Sequence, residues 1–322
     1  MTQRNQLTGL LCGAALALLG GVAQAAPTVH LTIFAAGSLT RPFQQLDALF
    51  EKMYPNVVVQ PQFGGSVEMV RHITDLHETA DVVAVADYTV IPKYLFAGDG
   101  NTGYTNWYAG FARNELTFVY TKDSKYASQI TPQNWYKILS RPGVEIGHSN
   151  PNTDPAGYAT LQMLKLAEAY YKSPGLEAKI LDNAPKANTR NAEVSLIGAL
   201  QTGQIDYLAI YRSSAIQHHF EYIPMPAEIN LSEPADAALY KTAVVDTKNG
   251  PLAGKPIVYG VTIPSNAQEA GWAAKYVALL LGPEGQKIMK ENGFGTMAPA
   301  IAENQAAMPA SLQPLVKPWP GS

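Results

Sequence analysis

Residues 29–77 read VHLTIFAAGSLTRPFQQLDALFEKMYPNVVVQPQFGGSVEMVRHITDLH. The apolar run 29–34 has strand character, 41–54 repeats its apolar residues at helical spacing, 57–63 is strand-like again and 67–77 is a second amphipathic helix. Strand, helix, strand and helix in this order require parallel neighbours, because the crossover helix carries the chain back to the edge from which it left. The turns Ala36-Gly37-Ser38 and Gly64-Gly65-Ser66 join each strand to its helix. A glycine before a helix start lets the backbone bend sharply, and a serine there caps the helix where free N–H groups meet the positive end of its dipole. The pair predicts half of an anion cradle.

The alternation continues outward. Residues 81–86 read as a third strand, followed by Asp87-Tyr88 and a helix-like segment to Phe96. The runs 115–121 and 256–264 are read as paired crossover strands between two lobes. Between them lies an α/β pattern of its own, with strands at 144–147 and 207–210 and helices at 157–171 and 193–202. Helices at 268–281 and 285–292 then return to the first lobe. The expected fold is α/β with two lobes, each a mixed, mostly parallel sheet flanked by helices. Its first lobe comprises 26–114 and 261–322, and the second, 115–260, is inserted. Two such lobes joined by two crossovers describe a binding protein that closes on a ligand by hinge motion, held where strand ends and helix starts face each other.

Residues 1–25 read as a cleaved secretory signal peptide: Arg4 is their one charge, an apolar core spans about 10–19, and Ala23-Gln24-Ala25 precedes the cleavage point. The apolar core is too short for a membrane span. Cys12, the single cysteine, lies inside it behind Leu10-Leu11, which does not fit a lipoprotein signal. The exported chain is therefore expected to be soluble, periplasmic and unlipidated, with neither disulfide nor thiolate metal site. The formal net charge of −3 gives no global reason to bind nucleic acid or an acidic membrane.

Three candidate contributions to the site come from the second lobe. The stretch Ser149-Asn150-Pro151-Asn152-Thr153-Asp154-Pro155-Ala156-Gly157-Tyr158 leads from a strand into a helix, so Asp154 is either a ligand or simply an N-cap. Glu193 opens a helix, where an acid also suits the dipole. Tyr211 ends a strand and either points into the cleft or packs. Arg190 and Arg212 stand near these residues in sequence and either orient them or belong to the surface. His218-His219 is a tempting metal pair, but helix neighbours face different directions and a surface role explains them. The pairs Tyr170-Tyr171 and Tyr207/Tyr211 are explained by packing. Neither Ser38 nor Ser66 stands in a Gly-x-Ser-x-Gly elbow, so no enzymatic activity is expected.

Together these residues resemble the periplasmic tungstate- and molybdate-binding proteins of ABC importers, of the archaeal-like WtpA type. The similar stretches are Ala36-Gly37-Ser38-Leu39, Gly65-Ser66-Val67, Ala86-Asp87-Tyr88 with Ile91-Pro92, Asp154 to Tyr158, Glu193-Val194, Asp206-Tyr207, Tyr211-Arg212-Ser213, Glu228-Ile229-Asn230-Leu231 and Gly260-Val261-Thr262-Ile263-Pro264. They run in the family's order over nearly all of the chain after the leader, although the segment between Tyr171 and Glu193 is short for the family. The resemblance implies an oxyanion held by Gly37, Ser38, Ser66, Asp154, Pro155, Ala156, Glu193 and Tyr211. Asp154 and Glu193 would reach the tungsten or molybdenum centre itself. It further implies a monomer with no cofactor beyond the tungstate or molybdate ligand. The partners would be a membrane permease and its ATPase subunit, since this chain has no phosphate-binding Gly-x-x-x-x-Gly-Lys loop. Sulfate, phosphate or ferric iron as the ligand, or a sensor or adhesion role without transport, are the alternatives.

Overall fold

The structure, a computed structural model, describes residues 1–2, 27–98 and 103–319. From residue 3 onward, the leader expected over 1–25 lies outside the described residues. The opening alternation is present as β1 (Val29–Ala36), α1 (Thr40–Met53), β2 (Val57–Gly64), α2 (Ser66–Thr74) and β3 (Val82–Val85). β1 runs parallel to both β2 and β3. Its inner residues Leu31, Ile33, Phe34 and Ala35 are buried because both faces of the strand are covered. On α1, Phe43, Leu46 and Phe50 recur at helical spacing and are buried; Phe50 meets the rings of Trp272 and Tyr276 edge-on.

The chain continues through α3 (Val90–Leu95), β4 (Tyr108–Arg113), β5 (Leu116–Tyr120), α4 (Trp135–Leu139), β6 (Ile146–Ser149), α5 (Pro155–Tyr170) and α6 (Leu176–Asp182). Next come β7 (Thr189–Arg190), α7 (Ile197–Gln201), β8 (Tyr207–Tyr211), α8 (Arg212–His218), β9 (Glu221–Tyr222), α9 (Ala227–Asn230) and α10 (Ala237–Tyr240). A hairpin of β10 (Val244–Thr247) and β11 (Gly250–Ala253) precedes β12 (Val258–Thr262), α11 (Ala270–Leu281), α12 (Pro283–Glu291), β13 (Gly295–Glu303) and β14 (Val316–Pro318).

The strands form a seven-stranded sheet, β14-β13-β4-β12-β3-β1-β2, and a five-stranded sheet, β7-β6-β8-β5-β9. Each anchors one lobe. Both sheets are mixed as expected, although antiparallel neighbours are as frequent as parallel ones. In the larger sheet β12 opposes β3 and β4, and β13 opposes β4; in the smaller, β5 opposes β8 and β9.

The crossovers differ from expectation. The run 115–121 is β5, paired with β8 and β9 in the smaller sheet, and the run 256–264 contains β12, paired with β3 and β4 in the larger one. They do not pair with each other. A continuous apolar run marks a strand buried on both faces, and a sheet centre meets that condition as well as a crossover does. The crossings themselves are short, near Asn114 and before Val258, and touch where Asn114 N–H donates to Ile257 O at 3.2 Å. The boundary expected at residue 260 falls inside β12.

Candidate functional site

Strand register gathers the candidate residues. In the larger sheet Ala36 of β1 stands opposite Gly64 of β2, so the turns after these parallel strands emerge side by side at one edge. In the smaller sheet β6 is parallel to both β7 and β8, with Ser149 opposite Arg190 and Gly147 opposite Leu208. Asp154, Glu193 and Tyr211 therefore arise at the same edge of that lobe. The two edges face each other. A Cβ added to Gly37 would lie 2.7 Å from Val194 Cγ2, and one on Gly65 would lie 2.4 Å from Thr153 O and 2.6 Å from Asn191 O. These glycines answer the close approach of the lobes, not a need for unusual dihedrals.

On the larger lobe's wall the serines act differently from the caps expected of them. Ser66 is the first residue of α2, after Gly65 as N-cap, and no side chain caps that helix or α1. Ser66 Oγ instead accepts the Ala86 N–H at 2.9 Å. With that lone pair occupied, its own proton is left to donate. Ser38 Oγ lies 2.8 Å from Tyr259 Oη. Asn114 Nδ2 donates to Tyr259 Oη at 3.1 Å and to Ser213 Oγ at 2.7 Å, while Asn114 Oδ1 accepts from the N–H groups of Glu115 and Ser213. The amide orientation is thereby fixed. Asn114 thus fills an acceptor position on Tyr259 Oη, and either hydroxyl of the Ser38–Tyr259 contact can supply its proton.

The smaller lobe's wall is acidic. Asp154 is the N-cap of α5: Oδ1 accepts the Ala156 N–H at 3.2 Å and Oδ2 the Glu193 N–H at 2.9 Å. The bland capping reading is thus realised, and the second oxygen ties the cap to Glu193. Pro155 and Ala156 form the first, buried turn of α5. Glu193 is 1% exposed, and its Oε1 is buried with no hydrogen-bond partner. Burial, and then the neighbouring Asp154, push the Glu193 carboxyl well above the usual carboxylate range, and burial raises Asp154 as well. Tyr211 is buried beside them with its ring edge-on to Tyr259 at 5.8 Å. Burial, Tyr259 and the two carboxyls raise its phenol.

Further contacts seal the seam between the lobes. Val67 and Glu68 N–H, at the start of α2, donate to Thr153 O at 3.1 and 3.3 Å. Those two amides, expected to face an anion, are taken by the opposite lobe. Tyr158 Oη donates to Asp87 Oδ2 at 2.5 Å, and Lys255 Nζ stands 2.7 Å from the same oxygen. Burial alone would raise Asp87, but Lys255 and the hydrogen bonds from Tyr158 and Thr89 outweigh it and hold the carboxyl below its ordinary range.

Sequence reading misses Asn114, Lys255 and Tyr259, which are strand or crossover residues without a motif. Arg190 and Arg212 stay off the site. Arg190 donates to Ala187 O and Thr189 O in its own loop, and Arg212 pairs with Glu115 at 3.1 Å. Tyr171 stacks on Tyr136 at 4.0 Å and Tyr207 donates to Lys125 O, so packing accounts for both. Among the described residues no group of three or more histidine, cysteine, aspartate or glutamate side chains is arranged to hold a metal ion. Asp154 and Glu193 are a pair.

The sequence profile of the bacterial extracellular solute-binding proteins matches residues 31–295. An uncharacterized solute-binding protein of Petrotoga mobilis is 42% identical over 296 residues, covering 90% of this chain and 91% of its own. The molybdate/tungstate-binding protein WtpA of Pyrococcus abyssi is 36% identical over 303 residues, covering 85% and 87%. Among solved structures, the periplasmic molybdate-binding protein of Azotobacter vinelandii superposes with a TM-score of 0.60 at 19% identity, over 83% of this chain and 99% of that one. At that identity the likeness speaks for the fold, a two-lobed type II periplasmic binding protein.

Proposed function

The chain belongs to the bacterial extracellular solute-binding proteins, and from that premise we propose that it captures tungstate or molybdate between its lobes and delivers it to the permease of an ABC importer. Relatives carrying the name molybdate/tungstate-binding protein, at 36% and 38% identity, support the ligand class. The observation that carries the reading within this chain is the orphaned Glu193 Oε1 beside Asp154, at the seam where the Gly37 turn meets Val194.

Two carboxyls near a dianion repel it unless they bind something other than its oxygens. W(VI) and Mo(VI) expand beyond four-coordination, and hard carboxylate oxygens suit a small, highly charged centre. Asp154 and Glu193 approach the metal, while Ser38, Ser66 and the backbone at Gly37 and Ala156 hold the oxo groups; Pro155 fixes the start of α5 and Tyr211 closes the wall. Neutral donors at fixed positions bind a dianion without lysine or arginine, and their preorganisation limits the ordering cost. Sulfur and phosphorus cannot expand their shells in this way, so sulfate and phosphate are rejected.

In this role the chain is exported to the periplasm, acts as an unlipidated monomer and catalyses no reaction itself. ATP is hydrolysed by the importer's ATPase subunit. Isothermal titration of ligand-free protein with tungstate, molybdate and sulfate tests the reading: the first two bind and sulfate does not. Sulfate displacing tungstate at comparable concentration overturns it.

A further inference from the structure

A groove of about 660 Å³ runs between the lobes beside the candidate site and reaches Gly37 on one side and Val194 on the other. Three of its lining side chains are basic, Arg41 on α1 and His218 and His219 at the end of α8, and none is acidic. Arg41 is the second residue of α1, at the positive end of the helix dipole, where a cation is disfavoured. It is exposed and forms no ion pair or hydrogen bond among the described residues. Across the groove, burial and then the positive charges of Arg41 and His219 push His218 below its ordinary range. The Arg41 guanidinium and the imidazoles of His218 and His219 thus line one groove from two lobes with no acidic side chain among its lining residues, in a chain whose net charge is −3.

The geometry points to an outer anion station: the groove captures a dianionic metal oxyanion from solution and passes it to the turn at Gly37 and Ser38. This rests on the oxyanion reading of the site. The groove is far wider than a tetrahedral oxyanion and offers one exposed guanidinium, not fixed amides, so it holds the ion loosely with its water shell. It raises the local concentration of ligand without adding to final affinity. A net negative surface repels a dianion, and a cationic patch flanking the cleft offsets that repulsion where it matters. Because α1 and α8 belong to different lobes, the patch flanks the mouth of the open form as well.

Stopped-flow fluorescence of the full chain with tungstate, at about 20 mM and about 500 mM sodium chloride, separates association from dissociation. Arg41→Gln is expected to slow association at low salt about fivefold and to leave dissociation unchanged, and Arg41→Lys restores the parental rate. The double variant H218Q/H219Q, which keeps Arg41, is expected to change the low-salt association rate less than Arg41→Gln does. A parent that binds tungstate at a rate indifferent to Arg41, or an Arg41→Gln variant that weakens binding only through faster dissociation, overturns the station alone. A parent that binds no tungstate overturns the oxyanion reading and this inference together.

Discussion

The wall built by the larger lobe presents neutral groups whose other bonds are already made, Ser66 Oγ to the Ala86 N–H and Ser38 Oγ to Tyr259. The opposite wall presents two buried carboxyls, one of them with an oxygen that bonds to nothing. One side is satisfied before a ligand arrives, and the other carries an electrostatic cost that a ligand can relieve. Selectivity should therefore reside in the acidic wall and geometry in the neutral one. Glu193→Gln tests this most severely. It keeps shape and hydrogen-bonding capacity but removes the ionisable oxygen, so tungstate affinity should fall about a hundredfold, roughly 3 kcal/mol, as read by calorimetry. The melting temperature of the empty protein should be unchanged or higher, because a buried repulsion has gone. Affinity within about threefold of the parent would make the walls equivalent and break the comparison.

Both walls depend on being brought together, and Gly65 sets how closely. Its dihedrals are φ −63°, ψ 134°, which any residue adopts, so Gly65→Ala is harmless to α2. The clash of its Cβ with Thr153 O and Asn191 O exists only when the lobes meet. Tungstate affinity should drop about thirtyfold, ~2 kcal/mol, with little change in melting temperature. Small-angle scattering should show no compaction on adding ligand. A variant that compacts as the parent does would locate the closing contacts elsewhere on the seam.

Asp47 sharpens the contrast from outside the cleft. It too is a buried carboxyl, raised to about 7 by burial despite the hydrogen bond that Tyr276 donates at 2.6 Å, with Glu51 adding to the rise. Unlike Glu193 it has a partner, so its effect belongs to stability alone. Between its unfolded value near 4 and about 7, the folded state binds more protons than the unfolded one, so Asp47's contribution falls as pH rises through that window. Asp47→Asn keeps an acceptor for Tyr276 and removes the titration. Relative to the parent it should gain on the order of 1.5 kcal/mol between pH 6 and pH 8, measured by chemical denaturation at both pH values. Tungstate affinity should not move.

The first lobe was readable because residues 29–77 have clean periodicity, with glycine and serine at each strand-to-helix turn; β1, β2 and the two helices stand close to where the pattern sets them. The acidic residues were readable as types but ambiguous as roles, since Asp154 proves to be a cap as well as part of the wall. What periodicity could not supply was pairing. β5 and β12 look alike in sequence because both are buried, and only register distinguishes strands in two sheets from a pair of crossovers. The short β7, β9 and β10–β11 elements exist through partners distant in the chain, so no local pattern marks them. Tyr259 belongs to the same class: inside an apolar strand it reads as core, and its role follows only from Ser38 and Asn114, which lie 221 and 145 positions away.

That Tyr259 role gives the smallest effect and the most direct probe of the neutral wall. Asn114 donates into Tyr259 Oη; a phenol that in turn donates to Ser38 Oγ would leave the serine proton for the ligand, and that relay is what the variants test. Tyr259→Phe removes the relay but keeps the ring that packs against Tyr211, Phe111 and Phe294. Ser38 is then free to turn its proton elsewhere, and Asn114 loses one acceptor but retains Ser213. Tungstate binding should weaken about fivefold, ~1 kcal/mol, the worth of one hydrogen bond. Ser38→Ala should cost about the same, and the double variant little more, because both break one chain of bonds. Additive losses in calorimetry would mean that Tyr259 acts through packing and that the neutral wall's geometry is set by the Gly37 turn alone.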